Sequence, residues 1–271
     1  MESARRKNAR RKKAKGGARP AVHARLECFI DLAQFAILLD VDGTILDVAA
    51  TPQSVVVPAS LVRTLGELHA RTGGALALIS GRLIENLDDL FVPLRLPCVG
   101  GHGVESRTSG SAPMQRWHAE LSPLLKKQVT AAIAVDPRII VEDKGSSLAV
   151  HYRLELGPLI KNNIAAILDR VPEENLEMLC GKAVIEIKPL RFNKGVAVCE
   201  LMKMLPFARR VPLFVGDDVT DESVFAMLPG LGGFGYSVGR EVAGVAGTFD
   251  GPRDVRDWLT GLCGRDGMKS G

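Results

Sequence analysis

The apolar run Phe35-Ala36-Ile37-Leu38-Leu39 ends abruptly in two acids, Asp40 and Asp42, followed by Gly43 and Thr44. Five consecutive apolar residues without a charge fit a strand covered on both faces, as in the interior of a parallel sheet. Strand side chains alternate, so while the backbone stays extended Asp40 and Asp42 project to the same side. Gly43 then frees the chain to turn sharply. The result is a pair of carboxylates at the carboxyl end of a buried strand, where open α/β sheets bind their ligands. Carboxylates there can bind a hard cation, attack an electrophile or move a proton. A calcium-binding EF-hand loop would place its glycine sixth from the first acid, whereas Gly43 is fourth counting from Asp40.

The same rhythm recurs. After a polar loop with Pro52 and Pro58, Leu61, Leu65 and Leu68 stand at helical spacing. Ala75–Ile79 reads as a second buried strand ending in Ser80-Gly81-Arg82, and Leu83–Leu90 as a helix. Pro97-Cys98-Val99 leads into Gly100-Gly101-His102-Gly103. Strand and helix in alternation predict a parallel sheet with helices on its faces. Between about Ser111 and Ile187 the pattern changes. A helix over Leu121–Ile133 precedes strands at Arg138–Glu142 and Ser147–Tyr152, a helix at Leu159–Val171 and a strand at Ala183–Ile187. Successive strands with few helices predict an α+β module. The first rhythm returns after Lys194, with a helix to Leu205, a strand at Val211–Val215 and a dense acidic turn. The expected fold class is therefore α/β, a parallel-sheet core over 27–110 and 189–271 divided by an inserted α+β module over 111–188.

Charge is distributed unevenly. The chain carries a formal +4, yet residues 1–26 hold ten Lys and Arg against Glu2 alone, which leaves the rest at about −5. The segment has too little apolar surface to offset the entropy of ordering, so a disordered basic tail is expected. Such a tail can touch nucleic acid or anionic lipid through charge alone. No aromatic-rich basic surface accompanies it, so nucleic acid is not the expected partner. No apolar run approaches the length of a membrane span, and none reads as a secretory signal. Five scattered cysteines, Cys28, Cys98, Cys180, Cys199 and Cys263, form no metal-binding spacing and suit a reducing, cytoplasmic setting. Gly230-Leu231-Gly232-Gly233-Phe234-Gly235 fits a dinucleotide-binding pattern in letters only, because Pro229 rather than a buried strand precedes it.

Four clusters carry the chemistry. Asp40 and Asp42 form the first. Ser80-Gly81-Arg82 offers a hydroxyl and backbone N–H groups for an anion. Asn193-Lys194-Gly195 places a lysine, a point charge suited to phosphate, at a helix start. Gly216-Asp217-Asp218-Val219-Thr220-Asp221-Glu222 follows the apolar Leu213-Phe214-Val215. Acids, hydroxyl and lysine together suit a magnesium ion and a phosphate group.

In this order the four clusters resemble the motifs of the haloacid dehalogenase superfamily. Three further pieces resemble, more narrowly, the trehalose-6-phosphate phosphatase family: Gly101-His102-Gly103-Val104-Glu105, Glu142-Asp143-Lys144 with His151-Tyr152-Arg153, and Val184-Ile185-Glu186-Ile187-Lys188-Pro189. The resemblance spans roughly residues 35–255. It implies a Rossmann-like core with an inserted cap, and a Mg²⁺-dependent phosphatase that releases trehalose from its 6-phosphate. It implies Asp40 as nucleophile and Asp42 as general acid and base, with Ser80 and Lys194 holding the phosphoryl oxygens. Mg²⁺ would be held by Asp40, the Asp42 carbonyl and Asp217, supported by Asp218 and Asp221. Gly43, Arg82, His102, Gly103 and Asn193 complete the substrate site, with Glu142, Lys144, Arg153 and Glu186 reaching sugar hydroxyls from the cap. The motifs also leave open a relative acting on sucrose phosphate or mannosyl-3-phosphoglycerate, or a phosphosugar mutase. A monomer with a small-molecule substrate and no membrane contact is expected.

Overall fold

The predicted first strand forms as β1 (Phe35–Leu39), in parallel register with β2 (Leu76–Ile79) on one side and β10 (Val211–Gly216) on the other. Its two faces enter two separate apolar layers. Ile37 and Leu39 lie with Leu61, Leu65 and Leu68 of α1 (Ala59–Arg71) and with Trp258 and Leu259 of α7 (Pro252–Cys263). Ala36 and Leu38 lie with Val198 of α5 (Lys194–Leu201) and Val224 of α6 (Glu222–Met227). Each fully buried Leu or Ile contributes about 1.5–3 kcal/mol, which is why this strand tolerates no polar position until it leaves the sheet at Asp40.

The computed structural model describes residues 31–264, apart from 50, 52–53, 117–119, 173–174, 182 and 191–192. The basic segment 1–26, Cys28 and Pro52 lie outside the described residues.

Outward from β2 come β3 (Cys98–Gly100), β4 (Glu105–Arg107) and β5 (Gln115–Arg116), the last two antiparallel, with α2 (Ile84–Leu90) crossing between β2 and β3. Outward from β10 come β11 (Phe234–Val238) and β12 (Gly247–Phe249), both parallel. The sheet order is β12-β11-β10-β1-β2-β3-β4-β5. From β1 the chain builds to one side and later returns to build on the other. The boundary between β1 and β10 is therefore the switch point, and a crevice opens above their carboxyl ends. The glycine run at 230–235 leads into β11 instead of following a strand, which removes the dinucleotide-loop geometry.

A second sheet has four antiparallel strands in the order β6 (Ile140–Asp143), β7 (Leu148–His151), β9 (Val184–Pro189), β8 (Leu176–Gly181). One face, with Leu148, Val150, Ile185 and Ile187, is buried under α3 (Pro123–Ile133) and α4 (Gly157–Leu168). Glu142, Ala149 and Glu186 are cross-strand neighbours, so Glu142 and Glu186 occupy the opposite face. The periodicity anticipates three of these strands but not β8, an edge strand whose residues are only partly covered. The first sheet reaches Arg116 before the chain enters the second, and β9 runs through Pro189. Among the described residues no helix is long and apolar enough to cross a membrane.

Candidate active site

Asp40 follows β1 directly, its N–H donating to the Val215 carbonyl of the neighbouring β10 at 2.9 Å. This bond sets the end of β1 beside the acidic turn that follows β10. Asn193 caps α5, its Oδ1 accepting from the Val196 N–H at 2.9 Å, so that the helix opens on Lys194. Lys194 Nζ donates to Asp40 Oδ1 and to Asp221 Oδ1, both at 2.7 Å, with the Lys194 side chain 3% and Asp221 0% exposed. Asp221 Oδ2 accepts from the Asp218 N–H at 3.0 Å, and Asp218 Oδ1 from the Val219 N–H at 2.7 Å, a reciprocal cap that fixes the turn Val219–Asp221. Thr44 Oγ1 lies 2.9 Å from Asp217 Oδ1 and 3.1 Å from Asp40 Oδ2. Gly43 has φ +84°, and a Cβ on it would fall 2.1 Å from Asp217 Oδ2, so backbone conformation and space both require glycine there.

Asp40, Asp217 and Asp221 each offer an oxygen, all within 4.8 Å of one another. Three carboxylates thus face one ammonium in a buried crevice. Burial pushes the Asp40 carboxyl well above its usual range, and the nearby Asp221 charge adds to this while Lys194 opposes it. Burial likewise raises Asp217. For Lys194 burial works against the charge, but Asp221 and Asp40 more than offset it and hold the amine protonated. A surplus of two negative charges among oxygen donors is what a hard divalent cation neutralises, so the residues fit such an ion. The carboxylates of Asp218 and Asp42 lie outside this trio. Asp218 caps its turn, and Asp42 is held by a two-point Arg82 fork, Nε to Oδ2 at 2.6 Å and Nη2 to Oδ1 at 2.7 Å. Ser80, buried at the end of β2, accepts from the Arg82 N–H at 3.1 Å and so shapes the turn that aims Arg82 at Asp42.

The second sheet reaches this crevice through Glu186. Its Oε2 pairs with His102 Nε2 at 2.8 Å, and its Oε1 accepts from Ser147 Oγ at 2.8 Å and Lys144 Nζ at 3.4 Å. Lys144 Nζ also reaches the Gly81 carbonyl at 3.5 Å. Burial would raise the Glu186 carboxyl, but His102, Lys144 and Ser147 together hold it well below the usual carboxylate range. His102 adopts φ 54° within the turn Gly101–Gly103, a conformation rare outside glycine. Gly103 lets that turn approach α5, since a Cβ there would lie 2.6 Å from the Asn193 carbonyl oxygen. Glu142 pairs with His151 at 3.4 Å on the same sheet face as Glu186. Arg153, 56% exposed, pairs with Glu155 at 2.7 Å rather than with this network. Two contributors escaped the sequence argument as site residues. Thr44 lies inside the first motif and was readable from it; Ser147 gives no signal, because only the hairpin between β6 and β7 brings it to Glu186.

The profile of the family described as Trehalose-phosphatase matches residues 38–242. A probable trehalose-phosphate phosphatase of Sinorhizobium fredii is 39% identical over 218 residues, covering 78% of this chain and 80% of the relative. The trehalose-6-phosphate phosphatase of Escherichia coli is 35% identical over 230 residues, covering 84% and 86%. Among solved structures, the C-terminal domain of C. albicans trehalose-6-phosphate phosphatase superposes with a TM-score of 0.76 at 22% identity, covering 92% of this chain and 99% of that one, which bears on the fold alone.

Proposed function

The chain belongs to the trehalose-phosphatase family, within the haloacid dehalogenase superfamily, and from that premise we propose how its residues hydrolyse trehalose 6-phosphate to trehalose and phosphate. The observation that carries the reading is the buried junction of Asp40, Lys194, Asp217 and Asp221 at the switch point of the sheet.

Asp40 attacks phosphorus in line with the departing sugar oxygen and becomes an aspartyl-phosphate. Asp42 gives its proton to that oxygen, then takes one from the water that cleaves the intermediate. Lys194 holds a phosphoryl oxygen from one side of the crevice and Ser80 another from the turn after β2. The Arg82 fork aims the Asp42 carboxylate in the resting structure, and one of its two bonds gives way when that carboxyl carries the proton. Asp40, the Asp42 carbonyl and Asp217, with Asp218 and Asp221 behind them, would hold Mg²⁺, which when bound neutralises charge on the phosphoryl group and lets an anionic nucleophile approach.

The segment expected as 111–188 serves as a cap, with 27–110 and 189–271 as the catalytic core; the separate second sheet supports a division of this kind, with its edges shifted, since β5 keeps Gln115–Arg116 in the first sheet and β9 carries the second to Pro189. The cap's polar face carries Glu142, Lys144 and Glu186 to the sugar hydroxyls, with Arg153 leaving its Glu155 partner to join on closure, and keeps bulk water from the aspartyl-phosphate. His102, Gly103 and Asn193 shape the floor beneath the sugar, and Gly43 leaves room for Asp217. The four described cysteines stand free, in keeping with a cytoplasmic enzyme, and we take it to act as a monomer on a small soluble ester without nucleic acid. Phosphate release from trehalose 6-phosphate beside sucrose phosphate and mannosyl-3-phosphoglycerate, with and without chelator, tests the assignment. Equal rates on all three would remove the trehalose specificity, and full activity in chelator would remove the metal.

A further inference from the structure

We infer that Arg240 is a positioning residue for the divalent-ion site, acting through the backbone of the acidic turn; the inference rests on the metal reading given above. The chain leaves β11 at Val238 and turns at Gly239, whose φ of +70° reverses its direction. Arg240 is thereby carried back over the carboxyl end of the adjacent β10. Its guanidinium donates three bonds into one short segment: Nε to the Asp217 carbonyl at 2.7 Å, Nη2 to the Asp218 carbonyl at 2.8 Å and Nη1 to Glu222 Oε1 at 2.8 Å. A planar fork with donors at fixed angles can bridge two successive carbonyls, which a lysine ammonium cannot match.

A second observation explains why the turn needs such a clamp. Asp217 borders a cavity of about 350 Å³ that Gly43, Asp47, Gly239, Arg240 and Asp250 also line. On that side Asp217 faces the cavity. Thr44 orients its carboxylate, and Arg240 holds the peptide from which the carboxylate springs. Asp221, fully buried and capped, has no comparable need. Groups that orient a metal ligand without touching the metal commonly set its affinity by ~10–100-fold.

The test measures Mn²⁺ binding to the full chain by calorimetry and by loss of the free-ion electron-spin signal, so that it does not depend on turnover. Arg240→Met is expected to weaken Mn²⁺ binding ~10-fold or more, Arg240→Lys by less, and Glu222→Gln least, because it leaves both carbonyl bonds in place. Unfolding temperatures in chelator report whether each variant folds; should Arg240→Met not fold, Arg240→Lys and Glu222→Gln decide, with Arg240→Lys the weaker binder. Wild-type affinity in folded Arg240 variants would overturn the clamp while leaving the metal reading standing. Absence of Mn²⁺ binding by the wild-type chain would overturn both.

Discussion

Lys194 Nζ stands 2.7 Å from Asp40 Oδ1 although 154 positions separate the two residues, and the same ammonium holds Asp221 at an equal distance. One cation thus balances part of a three-carboxylate crevice, and the remainder is a standing cost of the metal-free fold. Because the folded Asp40 carboxyl titrates above its unfolded value, its contribution favours the fold at low pH and is lost as pH rises through the raised folded value. In chelator, Asp40→Asn should therefore gain stability relative to wild type as pH rises above about 4. Parallel urea titrations check this; a variant that loses ground over the same range would contradict it.

Asp42 is the proposed proton donor to the sugar oxygen. An alkoxide leaving group needs that proton, whereas a nitrophenolate does not. Asp42→Asn should lower kcat/KM on trehalose 6-phosphate by ~10²–10⁴-fold, with a clearly smaller loss on p-nitrophenyl phosphate. Equal losses on both would argue for a structural role of the Arg82–Asp42 pair.

Among the described residues, the hydrogen bonds and ion pairs of Glu186 go to His102, Lys144 and Ser147 rather than to the carboxylate trio. Glu186→Ala should cost ~100-fold on trehalose 6-phosphate, because a site built to bond hydroxyls is left unpaired, and much less on a small ester lacking the sugar. Comparable losses on the two substrates would remove the cap from substrate recognition.

Arg107, 2% exposed, is held by Asp88 through two bonds at 2.7 and 2.6 Å and donates to the Leu96 carbonyl at 2.8 Å. The Arg107 bonds hold the Asp88 carboxyl below its usual range. The pair's stabilisation is therefore complete above about pH 4 and is lost as pH falls through the depressed Asp88 value. Asp88→Asn should cost about 1–3 kcal/mol at pH 7, and the difference from wild type should shrink in acid. A pH-independent difference in chemical denaturation would contradict the ion-pair origin.

The core was legible in the sequence because its strands are buried on both faces and so read as unbroken apolar runs ending in chemistry. The runs before Asp40, Ser80 and Asp217 all become neighbouring strands of one sheet. The inserted sheet was partly legible: β7 and β9 place Leu148, Val150, Ile185 and Ile187 on the helix-covered face, but Ala149 and Val184 blur the opposite face and β8 is an edge with little apolar signal. Asp40, Asp217 and Asp221 all lie in the motifs after strand ends, but the resemblance implied Asp221 only as support beside Asp218, and spacing alone does not encode which of these acids the fold brings together. The Arg82 fork on Asp42 and the cap made by Asp218 depend on local backbone turns that spacing does not encode. Arg240 was silent for the same reason, being brought to the site by the reversal at Gly239.

The central claim is that phosphorus is transferred to Asp40. Rapid acid quench of the full chain turning over trehalose 6-phosphate with Mg²⁺, followed by peptide mapping, should find a transient phosphoryl group on the peptide containing Asp40. Asp40→Asn should show neither that species nor turnover. A phosphoryl group on another residue, or wild-type phosphate release by Asp40→Asn, would contradict the account.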